Sequence, residues 1–167
     1  LSEAMAEAGY HKQIVNRLTE PFQFVNVIVT ATEWENFFNL RLHEDAQPEI
    51  HELAKCMKQA MEDSTPSLLH DTEWHTPYVD DIDSEIEELK QHEFYAKFDK
   101  WDKHTVANRL SSARCARVSY LNHDNTKPDP IKDFKLAQML ESAGHMSPFE
   151  HQAKPIRISG DVIDMMF

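Results

Sequence analysis

The chain has 167 residues, of which 41% are hydrophobic and 10% aromatic, and a formal net charge of −12 with its histidines neutral. This length and composition predict one compact soluble domain with its own core. The excess of acid disfavours binding to nucleic-acid backbones or anionic membranes, so an anionic ligand needs local positive groups. No apolar run reaches the roughly 20 residues that span a bilayer.

The N-terminal part of the chain has a helical pattern followed by an extended one. Residues 2–18 show helical periodicity with a break near Gly9, and Pro21 ends the pattern. The next run, FQFVNVIVT at residues 22–30, is rich in β-branched and aromatic side chains. Such a composition predicts a strand or an extended segment of the core.

Two further helices are expected before the middle of the chain. The sequence TEWE at residues 32–35 matches a capping box, in which the threonine and glutamate satisfy free N–H groups at a helix start. This predicts a helix that runs through Arg41. Apolar residues at helical spacing predict a second helix, which begins after Pro48 and ends at Ser64.

The second half of the chain is expected to be mainly helical. Residues 65–80 have loop character, and residues 80–93 carry seven acidic side chains and one lysine, which is typical of a solvated helix face. Asp102 and Asp129 are placed to cap two more helices, the second with a proline at its first position. Together the elements predict a single-domain α+β fold, helix-dominated with a small sheet.

Three clusters of polar residues are candidates for binding or catalysis. The first is HKQIVNR at residues 11–17, where Lys12, Asn16 and Arg17 are donors in an acidic chain. The guanidinium fork of Arg17 suits a phosphate or the edge of a pyrimidine. The alternative is an exposed helix with solvated charges.

The second cluster lies at residues 35–50, where polar donors and acceptors stand among large apolar residues. This combination fits a pocket for a planar heterocycle. The alternative is a simple ion pair between Arg41 and Asp45, one helical turn apart, worth about 0.3–0.5 kcal/mol. The polar residues are Asn36, Asn39, Arg41, His43 and Gln47.

The third cluster is GHMSPFEH at residues 144–151. Ser147 as N-cap, the following proline and Glu150 match a capping box, which predicts a helix N-terminus suited to an anion or phosphate. His145 and His151 flank it, but no third zinc ligand stands at a familiar spacing. Capping without any ligand is the alternative.

Cysteine and glycine usage narrows the chemistry. The only two cysteines, Cys56 and Cys115, lie far apart in helix-like settings, which predicts reduced thiols. The chain has only three glycines and no Gly-rich phosphate loop, so a dinucleotide fold of the Rossmann kind is not expected.

Three segments together resemble the flavin-dependent thymidylate synthases, also called thymidylate synthase complementing proteins. They cover roughly residues 9–54 and 113–153 and read HKQIVNRLTEPFQFVNVIVTATEWENFFNLRLHEDAQPEIHELA, ARCARVSYLNHD and GHMSPFEHQA. The resemblance implies an α/β-type family fold and methylation of dUMP to dTMP, with FAD as cofactor and NADPH and methylenetetrahydrofolate as co-substrates. It also implies a homotetramer with shared active sites, no nucleic-acid polymer or membrane partner, and the cytoplasm of a bacterial or phage-infected cell.

The resemblance also assigns roles to residues. Arg17 matches the arginine that contacts dUMP, and Arg41 matches the catalytic arginine that binds and polarises the pyrimidine. Gln47, in AQPEI, is assigned with them to substrate binding. The residues implied in holding FAD are Asn36, Ser119, His145, Ser147 and Glu150.

Several departures from the family pattern leave alternatives open. Asp45 stands where much of the family has a histidine, and ARVSY and SPFEH follow the NFFNLR segment, as in a permuted branch. The RHR-type signature is absent and is expected upstream of Leu1, so the domain is predicted to be incomplete at its N-terminus, with residues 65–105 a possible insertion. The alternatives are a non-catalytic nucleotide- or flavin-binding remnant that acts by assembly, or a related pyrimidine-hydroxymethylating enzyme.

Overall fold

The computed structural model of the protein describes residues 1–118, 125–158 and 162–166. The α-helices in this part of the chain are α1 Ser2–Glu7, α2 Lys12–Arg17, α3 Glu35–Arg41, α4 Pro48–Asp63, α5 Ile82–Lys90, α6 Lys103–Arg117 and α7 Pro130–Ser142. Short 3₁₀ turns lie at Glu20–Phe22, Glu93–Lys97 and Ser147–Glu150, and an antiparallel hairpin joins β1 Lys154–Ile158 to β2 Val162–Met166. The helix-dominated architecture with a small sheet agrees with the prediction.

No helix among these residues is long and apolar enough to cross a membrane.

The core lies where α5, α6 and α7 meet. Leu89 on α5, Leu110 on α6 and Phe134 on α7 are fully buried. Aromatic side chains from the segment between α5 and α6 surround Phe134, with ring centroids 5.0–5.9 Å from it, and they are Phe94, Tyr95, Phe98 and Trp101. Edge-to-face and tilted contacts of this kind stabilise a core beyond simple area burial.

Two aspartates begin the core helices, as the sequence predicts. Asp102 accepts hydrogen bonds from the backbone N–H groups of His104 at 3.0 Å and Thr105 at 3.1 Å. Asp129 accepts from the second and third residues after it, both at 3.0 Å, and Pro130 occupies the first turn of α7. Each cap satisfies N–H groups that the helix leaves without an internal partner.

The strand or core segment predicted at residues 22–30 is not formed. Residues 23–30 belong to no helix or strand, and the side chain of Phe24 is fully exposed. A strand requires a neighbour to complete its hydrogen bonds, and nothing within the described ranges pairs with this segment. The prediction from β-propensity is therefore wrong for this chain as it stands, and an exposed apolar segment remains.

The capping box predicted for TEWE is also wrong. Helix α3 begins at Glu35, and Trp34 occupies the cap position without a side-chain cap. The indole of Trp34 donates to the carbonyl of Ala31 at 3.2 Å, and its ring lies against Phe37 and Phe38. Aromatic packing therefore accompanies the observed helix start. The helix does run through Arg41, as expected.

Candidate functional site

The SPFEH segment leaves helix α7 through a glycine turn. Gly144 has φ +73°, a left-handed conformation that glycine adopts without steric cost. Its N–H donates to the carbonyl of Glu141 at 3.0 Å, and the N–H of His145 donates to Leu140 at 2.9 Å, which closes the end of the helix. The next residues form the 3₁₀ turn Ser147–Glu150.

The helix N-terminus predicted at Ser147 is absent. Ser147 and Glu150 lie inside a four-residue 3₁₀ turn, and Met146 holds the cap position without a side-chain bond. In an α-helix the carbonyl of Pro148 would accept the backbone N–H of Gln152. Here it accepts the side-chain amide of Gln152 at 3.3 Å, while the chain turns away toward β1. The turn therefore lacks the aligned N–H groups and dipole of a helical anion site.

A buried amide fixes this turn to helix α6. Gln152 is only 4% exposed and donates to the hydroxyl of Ser111 at 3.0 Å. The hydroxyl of Ser112 lies 3.1 Å from the Gln152 carbonyl oxygen, and both serines are fully buried. Because a buried amide without partners is costly, this network specifies where the turn sits. Sequence patterns did not identify Gln152. Two adjacent serines within a predicted helix were the one sign that a buried polar partner would be needed there.

One side-chain contact joins the two halves of the predicted site. The hydroxyl oxygen of Thr30 lies 2.9 Å from Nδ1 of His151, and both residues are half-buried. Thr30 comes five residues before α3, and His151 follows the SPFE turn directly. The contact brings together segments 121 positions apart in the sequence.

Arg41 ends helix α3 on an open surface. It lines a depression of about 390 Å³ whose walls all come from residues 39–46. The ion pair between Arg41 and Asp45, the alternative for this cluster, is not formed. The Asp45 carboxylate lies 3.5 Å from Nδ1 of His43. Arg41 has no ion-pair partner in the ranges that the structure describes. Its guanidinium N–H groups are therefore available to donate to an external anion or to a polar ring.

The other residues assigned to the substrate lie outside that depression. Arg17 is exposed at the end of α2. Asn36, which is assigned to the flavin, is exposed in the first turn of α3. Gln47 precedes α4, and its side-chain amide donates to Glu49 at 3.0 Å. A backbone hydrogen bond lowers the pKa of Glu49 most, and the bond from Gln47 lowers it further.

The residues assigned to the flavin are only partly described. His145, Ser147 and Glu150 are exposed together on the SPFEH turn, whereas Asn36 belongs to α3. Ser119 lies outside the described residues. Within the described ranges, the side chains of His145, Ser147 and Glu150 form no hydrogen bond to other protein groups, so their imidazole, hydroxyl and carboxylate face solvent.

A buried arginine organises the core beside the site. Arg114 on α6 is 1% exposed, and its Nε donates to Asp133 at 2.9 Å. Its terminal nitrogens donate to Glu85 and to the carbonyl of Tyr78, a residue with φ +67°. Arg117 contacts the other oxygen of Asp133 at 2.8 Å. Such a network locks geometry rather than adding much net stability. Sequence reasoning missed it, although both arginines stand in ARCAR.

Both cysteines are free thiols, as predicted, and one of them is expected to be unreactive at neutral pH. Cys56 is exposed on α4 and Cys115 is buried on α6. Burial raises the pKa of the Cys115 thiol to about 11, although a hydrogen bond with Ser111 lowers it in part. A thiol with this pKa stays protonated at neutral pH and is a poor nucleophile.

Helix α3 carries exposed polar donors, and a comparison with known protein families matches the segment that contains this helix. Residues 23–67 match the family model of the thymidylate synthase complementing protein. The resemblance is thereby confirmed over this segment, which contains Thr30, Asn36, Arg41 and Gln47, and it supports a thymidylate synthase-related function. No curated protein and no solved structure gives a significant match to the chain.

Proposed function

We propose that the protein is a flavin-dependent thymidylate synthase of the permuted branch, which methylates dUMP to dTMP. Methylenetetrahydrofolate is the carbon donor, and bound FAD, reduced by NADPH, supplies the hydride. The observation that carries the proposal is the family match over residues 23–67. The contact between Thr30 and His151 adds support, because it places the SPFEH turn against the matched segment.

Arg41 has the central role in the proposed chemistry. Its exposed guanidinium, without an ion-pair partner in the described chain, is suited to bind the pyrimidine and to stabilise negative charge as ring carbon 5 becomes nucleophilic. Arg17 supplies a second cation for dUMP. Gln47 offers an amide to the pyrimidine edge once its hydrogen bond to Glu49 is released. The protonated thiol of Cys115 agrees with a mechanism that uses no protein nucleophile.

The SPFEH turn and the start of α3 would hold FAD. His145, Ser147 and Glu150 offer solvent-facing polar groups on one short turn, and Asn36 offers an amide from α3. Their chemistry fits the hydroxyls, ring edge and phosphates of a flavin dinucleotide. Ser119 is proposed as a further contact. Because the turn is no helix N-terminus, these side chains must supply most of the hydrogen bonds.

We propose further that the protein assembles as a homotetramer with shared sites. The exposed apolar segment supports this, since its side chains are more than half exposed in the chain alone, and they are Phe22, Phe24, Val25, Val27 and Val29. Contiguous apolar surface of this kind marks an interaction site. The open depression at Arg41, walled only by residues 39–46, would be completed by another subunit.

The test is an assay of the purified protein with FAD, NADPH, methylenetetrahydrofolate and dUMP. We expect NADPH oxidation that depends on dUMP, and dTMP identified by its mass. Omission of dUMP is the control for futile oxidation of the flavin. Formation of hydroxymethyl-dUMP, or bound flavin without any product, would overturn the proposal.

A second candidate is a flavin- or nucleotide-binding protein without catalysis. The observation that favours it is the short 3₁₀ turn at Ser147–Glu150, which lacks the anion-binding N–H groups of a helix. A yellow protein that binds dUMP by calorimetry and forms no dTMP would identify this function. Turnover would exclude it.

A further inference from the structure

We infer that Thr30 and His151 form a latch that ties the segment leading into helix α3 to the SPFEH turn, and that both are positioning residues for the proposed site. The catalytic consequence rests on the proposed function. The latch itself is a property of the fold and is tested separately. Sequence patterns assign no role to Thr30, and they identify His151 only as a residue that flanks the third cluster.

The contact is well placed to transmit position to α3. Thr30 Oγ1 lies 2.9 Å from His151 Nδ1, at the end of the exposed segment. The carbonyl of the next residue, Ala31, accepts a hydrogen bond from the indole of Trp34 at 3.2 Å. Helix α3 begins at Glu35, directly after Trp34. A short chain of contacts therefore runs from His151 to the helix that carries Asn36 and Arg41.

The other side of the latch is anchored in the core. His151 lies between the SPFE turn and Gln152. The buried amide of Gln152 contacts Ser111 and Ser112, and any other position of this side chain would lose these hydrogen bonds. Ala153 pairs with His75 through two backbone hydrogen bonds of 2.7 and 3.2 Å. His151 is thus followed directly by two residues with fixed partners.

Helix α3 packs against α4, and no other helix or strand is a substantial neighbour of it in the described chain. It contains no buried residue, whereas α6 buries eight. Since burial is the main source of tertiary stability, a specific hydrogen bond weighs more in positioning an exposed helix than in positioning a buried one. Loss of the latch should therefore release α3 and leave α6 and α7 intact.

Matched substitutions separate the hydrogen bond from side-chain shape. Thr30→Val keeps the volume and removes the hydroxyl, whereas Thr30→Ser keeps the hydroxyl. His151→Leu removes the ring nitrogens, whereas His151→Asn retains a polar atom near the place of Nδ1. If the bond is the latch, Thr30→Val and His151→Leu disrupt it, whereas Thr30→Ser and His151→Asn preserve it. The double variant Thr30→Val with His151→Leu then shows no larger effect than either single variant.

The first readout is amide hydrogen exchange at millisecond times. We expect Thr30→Val and His151→Leu to raise exchange in residues 31–41 roughly 2- to 10-fold, the effect of one net hydrogen bond, with α6 and α7 amides unchanged. Thr30→Ser and His151→Asn should stay near wild type. Unchanged exchange in both disrupting variants, or equal acceleration throughout the chain, would overturn the latch.

The second readout is kinetic and uses the assay of dTMP formation. We expect the disrupting variants to lower kcat and to raise the KM for dUMP, with recovery in Thr30→Ser and His151→Asn. If exchange responds but kinetics do not, the positioning role is overturned. If wild type forms no dTMP, the proposed function fails, and the exchange experiment still decides the latch.

Discussion

At the scale of single residues, Arg41 carries the weight of the proposed chemistry because its charge faces solvent without an ion-pair partner among the described residues. A cation in this state contributes little to folding and is available to a ligand. Arg114 has the same guanidinium, but it is 1% exposed and bound to two carboxylates, so it contributes to architecture. The surroundings of each side chain, rather than its type, separate a functional arginine from a structural one.

Arg41→Ala should remove dUMP-dependent activity with little effect on stability. We expect a fall of 100-fold or more, on the order of one lost transition-state contact, and a change in the free energy of unfolding within about 0.5 kcal/mol for an exposed residue. Initial rates and urea denaturation measure the two effects. Lys55→Ala, on the exposed face of α4, is the control and should leave both unchanged. Unaltered kinetics in Arg41→Ala would contradict the role.

Cys115→Ala should keep the activity because the reaction is proposed to use no protein thiol. The buried thiol has a pKa of about 11, so alkylation at pH 8 should label Cys56 and leave Cys115 unlabelled until the protein unfolds. Peptide mass spectrometry after iodoacetamide treatment checks the labelling. Loss of turnover in folded Cys115→Ala, with flavin still bound, would point to a cysteine-dependent reaction instead.

At the scale of elements, helices α6 and α7 could be predicted from the sequence because their signals are local. Each has an aspartate cap and helical periodicity, and both capping bonds form. The capping box predicted at Ser147 is wrong for a non-local reason. The side-chain amide of Gln152 donates to the carbonyl of Pro148 and is held in the core by the serine pair of α6. Nothing in the local sequence reveals that partner.

The candidate site residues were named from motif patterns, which are also local. Arg17, Arg41, His145, Ser147 and Glu150 are exposed, and their binding roles stay predictions. The Thr30–His151 contact and the Arg114 network join residues far apart in sequence, and periodicity carries no information about such pairs. The exposed segment 22–30 has strand propensity without a strand, because propensity describes one chain segment and pairing requires two.

The Asp102 cap should make the stability of α6 depend on pH. Hydrogen bonds from the hydroxyl and N–H of Thr105 hold the pKa of Asp102 below its ordinary value of 3.8. A carboxylate with a lowered folded-state pKa stabilises the fold fully above the unfolded-state pKa, and this stabilisation is lost as the pH falls through the folded value. The cap therefore weakens below about pH 4.

Two substitutions test that cap. Asp102→Ala should lower the free energy of unfolding by about 1 kcal/mol at pH 7. Asp102→Asn should retain much of the capping bond while it removes this residue's share of the acid sensitivity. Urea denaturation at pH 7 and pH 3 measures both effects. Equal acid sensitivity in wild type and Asp102→Asn would show that other carboxylates account for it.

At the scale of the whole molecule, the fold is uneven. A compact unit of α5, α6 and α7 buries the aromatic core, while residues 22–30 leave large apolar side chains in solvent. Apolar surface on one contiguous segment favours association with a partner surface. The proposed tetramer would bury that segment. Another subunit would then offer FQFVNVIVT the strand partner that the described residues of one chain do not provide.

Phe24→Asp should therefore shift the assembly toward smaller species. Introducing a charge into a buried apolar contact is costly, so we expect a lower mass by light scattering at the same protein concentration. Leu68→Asp is the matched control, since Leu68 is 81% exposed in a loop outside the segment. A mass unchanged by Phe24→Asp, or changed equally by the control, would place the subunit interface elsewhere.

The hydrogen bond between Thr30 and His151 also bears on the order in which the molecule folds. Closing a loop between positions 30 and 151 costs more chain entropy than docking α6 on α7, which are neighbours in sequence. The helical core should consequently form in the rate-limiting step of folding, with the bond closing after it. Removing that bond should then raise the unfolding rate and leave the refolding rate nearly unchanged. In this folding order, the segment proposed to bind the ligand reaches its native position last.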